Sequence, residues 1–206
     1  MIDKKENIKK EIMEILFIFL EAKNSFYYAQ YIFNPETRKE KNYITSAVEF
    51  QFFSSVLWKY SVIELCKLFK KNEKRSIPKL VNKFRKSGEF RLSNITDDII
   101  KDWDDKLLRL NDLIENIIKM RDSVFAHGDA TYKNSLQYNV IMDDTEKLIL
   151  LTKEFISDIY RFALNATVVH TGKFIKKEFN ILKILADEEN KRIKDIFDEA
   201  KRLTNH

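Results

Sequence analysis

Only three glycines and two prolines punctuate the 206 residues, against average usage of roughly 7% and 5%. A chain so short of turn residues cannot make the many tight turns that sandwiches, barrels and wound α/β folds require. It can make long helices joined by few connections, so the expected class is all-α. The composition is 44% hydrophobic and 13% aromatic, enough for a sizeable core and too much for wholesale disorder. The single cysteine, Cys66, leaves no internal disulfide framework and no cysteine-based zinc site. The longest apolar run, Ile15 to Leu20, is far short of the roughly 20 residues of a membrane helix. It is also too short for a signal-peptide core, and the first residues mix acidic with basic side chains. The expectation is a soluble, cytoplasmic protein with no membrane partner.

The five breakers and a few capping residues divide the chain into about six helices. The first covers about 4–33 and stops at Asn34-Pro35. After a polar connection, Ser46 and Glu49 have the spacing of a capping box and open a second helix to about Lys71. Ser76 caps a short third helix with Pro78 in its first turn and Gly88 just past its end. Thr96 caps a fourth, with Asp97 and Asp98 in the first turn, running to His127 and stopped by Gly128. Asp143 or Asp144 starts a fifth, ending near Gly172, and a sixth covers about 174–203. No repeat or linker interrupts them, so residues 1–206 read as one domain. Helix two is apolar on nearly every side, from Val48 through Phe52, Phe53, Val56 and Leu65 to Phe69, and is expected to be surrounded. Helix six carries Asp187, Glu188, Glu189, Lys191, Arg192 and Lys194 and is expected on the outside. The core then falls to helices one, two, four and five, as a bundle.

Thirty-seven basic and 32 acidic residues give a net charge of +5 and a pI near 9.0. Between Glu73 and Arg91 stand Lys74, Arg75, Lys79, Lys83, Arg85, Lys86 and Arg91 against two acidic residues. That stretch alone carries the whole excess. It reads first as a solvated helix and loop. If it contacts RNA backbone, the candidates are Lys79, Lys83, Arg85 and Lys86, and binding would weaken steeply with salt.

Helix four holds the sharpest local conflict. Ile99, Trp103, Leu107, Leu110, Ile114 and Ile117 form one apolar stripe at steps of three and four. Continued, the stripe lands on Arg121, Val124 and His127. Arg121 and His127 sit about 60° to either side of Val124, at ~100° per residue, on the buried or interface side. A guanidinium there is costly unless something pairs with it.

Arg121-Asp122-Ser123-Val124-Phe125-Ala126-His127, near the end of a long helix, resembles the R-x(4–6)-H motif of HEPN domains (higher eukaryotes and prokaryotes nucleotide-binding). Gly128-Asp129 extends the match. Glu64-Leu65-Cys66-Lys67-Leu68-Phe69 and the short Ile77-Pro78-Lys79-Leu80 helix resemble the abortive-infection branch of that superfamily. The resemblance spans about Ser46 to Asp129. It implies a helical bundle that dimerises through its motif helices. Many such proteins are metal-independent endoribonucleases, as toxins or antiviral effectors, while others have lost activity. Those partnered with nucleotidyltransferase antitoxins often carry a tyrosine two residues past the histidine. Here that position is Asp129, and Tyr132 does not fit the spacing.

The implied chemistry needs no cofactor and no metal. A ribose 2′-OH attacks its own phosphate, so a base, an acid and a cation for the phosphorane are required. His127 suits proton transfer, with an unperturbed pKa of about 6.5, and the last turn of a helix favours its protonated form. Arg121 offers a planar donor fork that matches phosphate oxygens. Asp122 can accept from the imidazole or steer the arginine. One chain has one such histidine, so a twofold dimer would place two of each around a single scissile phosphate. Two other readings stand beside the nuclease. One is a catalytically silent module binding nucleotide, RNA or a protein partner through the same cleft, and the other is a purely structural dimer with Arg121 sealed in a salt bridge. His170 and His206 lack neighbours at ligand spacing. Cys66 reads as a small buried hydrophobe, and the aromatics of helices one and two as packing.

Overall fold

The computed structural model describes residues 2–125, 140–168 and 181–204. The expected class holds: every regular element among them is helical, with no strand. In order they are α1 (Ile2–Phe33), α2 (Arg38–Ser46), α3 (Glu49–Phe69), α4 (Ile77–Phe84), α5 (Asp97–Arg109), α6 (Asn111–Met120), a single π-helical turn (Arg121–Phe125), α7 (Met142–Leu164) and α8 (Ile181–Thr204). The chain divides into two compact units. The first holds Met1–Phe26 and Trp58–Thr171, the second Tyr27–Leu57 and Gly172–His206.

In the first unit, α1 buries Ile8, Ile12, Ile15, Phe19, Ala22 and Phe26 completely. Their alternating steps of four and three give one straight stripe, the pattern of a helix packed along its whole length. The second part of α3 adds Val62, Leu65, Cys66, Leu68 and Phe69, and α7 adds Leu148, Phe155, Ile156 and Ile159. An aromatic cluster ties α4, α5 and α7 together. Phe84 meets Phe90 and Trp103 at centroid distances of 5.8 Å each, and Trp103 meets Phe155 at 6.4 Å. The indole N–H of Trp103 still finds an acceptor in Asp158 at 3.3 Å, as a buried polar edge requires. Asp158 also takes Lys106 at 3.0 Å.

Helix ends follow the capping chemistry in part. Thr96 accepts from the Ile99 N–H, as expected. Ser76 is the N-cap of α4 and Pro78 lies in its first turn, but the Ser76 side chain makes no cap bond. Past that helix, the Phe90 N–H donates to the Lys83 carbonyl at 2.7 Å. A Cβ on Gly88 would collide with that same carbonyl, so the turn needs glycine for close backbone approach. Asp143 and Asp144 stand in the first turn of α7. That helix ends at Leu164, where Asn165 takes the left-handed conformation, φ 52°. The extension expected to Gly172 is therefore not made, and Gly172 itself lies outside the described residues, as does Gly128.

Three expectations are corrected. The polar connection before Ser46 is a helix, α2, capped by Thr37 and Glu40 in a reciprocal box. Ser46 is its last residue, and its hydroxyl donates to the carbonyls of Asn42 and Tyr43 instead of opening α3. The long fourth helix is segmented. Its first part ends at Arg109, and the Leu110 carbonyl already accepts from Ile114 at 2.9 Å, so Leu110 both ends α5 and starts α6. Finally, α3 is not surrounded along its length. In the second unit its first turns leave Phe52, Phe53 and Val56 between 43% and 64% exposed, with only Ser54 buried there, donating to the Ala29 carbonyl. The core of the first unit also recruits the short α4 through Ile77, Leu80, Val81 and Phe84.

The second unit is organised by Glu40, which is 3% exposed. It accepts from the Tyr31 hydroxyl at 2.5 Å and from the Thr37 N–H and hydroxyl at 2.8 and 2.9 Å. Burial alone would raise its pKa, but these donors outweigh burial and hold it below the ordinary carboxylate value. A depressed folded-state value stabilises above the unfolded pKa and is lost as pH falls through the folded one. Glu40→Gln is expected to flatten the loss of helicity on acidification below about pH 4.5, followed by far-UV circular dichroism. Gly88→Ala is expected to lower stability by about 1–3 kcal/mol, read as a lower denaturant midpoint.

Candidate active site

The apolar stripe of α6, Ile114, Ile117 and Met120, delivers Arg121 to the first position of the π-helical turn. The Arg121 N–H still bonds back to the carbonyls of Ile117 and Ile118. The helix widens only after it, at the segment carrying the motif. Isolated π turns cost hydrogen-bond quality and recur at functional positions.

The Arg121 side chain is 20% exposed. Its Nε and one Nη are fully buried and have no hydrogen-bond acceptor among the described residues. Nε lies 3.0 Å from Asp122 Oδ1, near enough for charge attraction but out of line for a hydrogen bond. The other oxygen of Asp122 accepts from Lys70 Nζ at 3.1 Å. A cation, a carboxylate and a second cation thus run in a row from the end of α3 to the π turn, with Asp122 and Lys70 each about a third or more exposed.

Behind the guanidinium lies Cys66, whose thiol donates to the Ile117 carbonyl. Burial pushes this thiol up to about 12, and the positive charge of Arg121 opposes that only weakly. Cys66 is therefore a neutral packing residue, as its sequence context suggests, and not a nucleophile. Lys70 was not singled out by sequence reasoning. It stands among clustered lysines at the end of α3, and nothing in the local pattern separates it from Lys67 or Lys71.

His127 lies outside the described residues, as do Asp129, Tyr132, His170 and His206, and the side chain of Val124 is not described. The structure brings Arg121 and Asp122 together and leaves the distance to the imidazole unstated. The basic candidates divide. Lys83 Nζ is 2.6 Å from Glu11 and 3.4 Å from Glu89, over the Phe90 ring at 4.8 Å. Burial pulls its pKa down, but Glu11 and Glu89 hold it above the ordinary value. Arg85 grips Asp104 with one nitrogen at 2.7 and 2.9 Å from its two oxygens. Lys79 and Lys86 have no ion pair among the described residues. Lys79 lines an open groove of about 440 Å³ with Lys71, Phe69, Leu107 and Ile114, and Lys86 a shallower one beside Lys101. No group of three His, Cys, Asp or Glu among the described residues could hold a metal ion, and no described helix is long and apolar enough to cross a membrane.

The helical bundle agrees with the comparison against known families, in which HEPN_AbiU2 (AbiU2) matches residues 4–180. The chain belongs to the HEPN_AbiU2 family. The match covers α1 through α7 and the whole R-x(5)-H segment, and ends just before α8. No curated protein and no solved structure matches the chain. Within this HEPN chain, two buried donors of Arg121 have no hydrogen-bond acceptor among the described residues. Removing them while keeping the stem should relieve a desolvation cost. Arg121→Met is expected to raise the denaturant midpoint, by about 1 kcal/mol in stability. A drop of similar size would show that the donors are satisfied in the folded chain.

Proposed function

We propose that this HEPN protein is a metal-independent endoribonuclease of a toxin or phage-defence type. The observation that carries the reading is Arg121, with two buried guanidinium nitrogens lacking an acceptor among the described residues, at the head of the segment that resembles the R-x(4–6)-H motif. A phosphate oxygen would supply acceptors for these donors. In this mechanism Arg121 binds the scissile phosphate and stabilises its extra negative charge. His127 moves the proton between the ribose 2′-OH and the leaving 5′ oxygen. Asp122, tethered by Lys70, positions the Arg121 fork. Products would carry 2′,3′-cyclic phosphate. Two copies paired through their motif segments would provide two histidines and two arginines at one RNA strand. A cytoplasmic setting and an antitoxin partner, a nucleotidyltransferase being one kind, fit this role. Asp129 in place of the tyrosine excludes restraint by modification of a tyrosine at that position.

A second reading is favoured by Asp122 itself, which already faces Arg121 at 3.0 Å and competes with any incoming phosphate. A silent module binding nucleotide, RNA or protein would have the same geometry. Incubation with RNA in EDTA separates the two. The nuclease predicts 2′,3′-cyclic phosphate ends from the native chain and at least about a hundredfold slower cleavage by His127→Ala and by Arg121→Ala, with helicity unchanged. Undiminished cleavage by the His127 variant would exclude this mechanism, and RNA binding without cleavage by the native chain would favour the silent module.

A further inference from the structure

Helix α8 is 24 residues long and α2, which it packs against, only nine. At 1.5 Å per residue these are about 36 Å and about 14 Å, so most of α8 overshoots its support. Leu182 and Ala186 are buried, and Lys39 holds Asp187 at 3.0 Å. From Lys191 to Leu203 every residue is exposed. Yet the apolar stripe does not stop where the support stops. Leu182, Ala186, Glu189, Ile193, Ile196, Ala200 and Leu203 continue at alternating steps of four and three, a heptad seam. Beyond Asn190 that seam carries Ile193 at 43%, Ile196 at 55% and Leu203 at 75% exposure, flanked by Phe197 at 64%. A contiguous apolar strip of this kind exceeds the singly scattered exposed residues that need no explanation. It also lies beyond the residues matched by the family, and has no part in the site proposed above.

The charges beside the seam select the occupant. Lys191, Arg192 and Lys194 precede the seam's centre, whereas Asp195, Asp198 and Glu199 follow it, with Lys201 and Arg202 beyond and Glu188 and Glu189 before. A parallel copy would set each cluster against itself. An antiparallel copy centred between Lys194 and Asp195 sets every cluster against its opposite. Lys191 and Arg192 then meet the partner's Asp198 and the partner's Glu199. Glu188 and Glu189 meet the partner's Lys201 and the partner's Arg202. The same register places Ile193 on the partner's Ile196, twice by symmetry. Arg192 is already oriented by two bonds to Glu189, at 2.8 Å each, which leaves its fork ordered at the edge of the seam.

We infer that the outer half of α8 is a self-association surface on which two copies of this chain pair antiparallel through Ile193, Ile196 and Ala200, with Arg192 facing the partner's Glu199. The interface is about two heptads long, so its affinity is modest and concentration-dependent. It is independent of any pairing of motif segments. A chain with both faces self-complementary assembles beyond the dimer, and a chain with α8 alone stops at the dimer. Loss of the α8 contact leaves the motif-paired dimer in the first case and the monomer in the second.

Sedimentation of the full chain across a concentration series tests this. Ile196→Asp is expected to lower the mass reached at high concentration to that of the motif-paired dimer or the monomer, with helicity unchanged because Ile196 already faces solvent. Glu199→Arg is expected to weaken association, and Arg192→Glu combined with Glu199→Arg to restore it, since the exchange rebuilds the cross-pair with its sign reversed. An Ile196→Asp chain as heavy as the native one overturns the inference. So does a charge exchange that fails to recover what Glu199→Arg loses, because the face would then be built for another protein.

Discussion

An apolar stripe that ends in a cation is the constraint on which this molecule turns. Ile114, Ile117 and Met120 must be buried for α6 to dock, and at the next position the same face presents Arg121. Hydrophobic burial of three large side chains outweighs the desolvation of one partly exposed guanidinium, since each contributes about 1.5–3 kcal/mol. The chain can therefore keep a charged fork against Cys66 and α3. The carboxylate of Asp122 beside it, itself held by Lys70, offsets the cost of keeping this one group where water cannot fully solvate it.

Around that point, charge is distributed by commitment. Lys83, Arg85, Arg75 and Arg91 look alike in the sequence, as a basic run. In three dimensions they are fasteners, bound to Glu11, Asp104, Glu14 and Asp97 respectively. The more exposed of these pairs contribute little individually, but together they fix where the α4 segment lies and remove those cations from the pool that could meet an anion. The net charge of +5 is thus a poor guide to where an anion would be met. The lysines of the open groove, Lys71 and Lys79, have no ion pair among the described residues and are a better one.

The sequence made the helical class, the burial of α1 and the cap at Thr96 legible, because periodicity and capping are local and repeat along the chain. The break at Leu110 was not legible. The stripe runs straight through it, and the residue that ends one helix also begins the next. Helix α2 was missed because Thr37-Arg38-Lys39-Glu40 is a capping box followed by polar residues, and apolar periodicity, the stronger signal, is faint there. Arg121 and His127 stood out as a conflict between residue type and face, and Asp122 through the motif it shares with them. Lys70 and the carboxylate partners of Lys83 and Arg85 did not, since they depend on contacts across 19 to 72 positions that no local pattern encodes.

The state of Cys66 has a practical corollary. As the lone thiol of the chain, sealed and held neutral to about pH 12, it is inert toward thiolate-selective reagents under ordinary conditions. Any cysteine introduced on the surface becomes the sole reactive handle. Spin labels, fluorophores or crosslinkers can then be attached site by site without first removing the native residue, whose contact with the Ile117 carbonyl stays undisturbed.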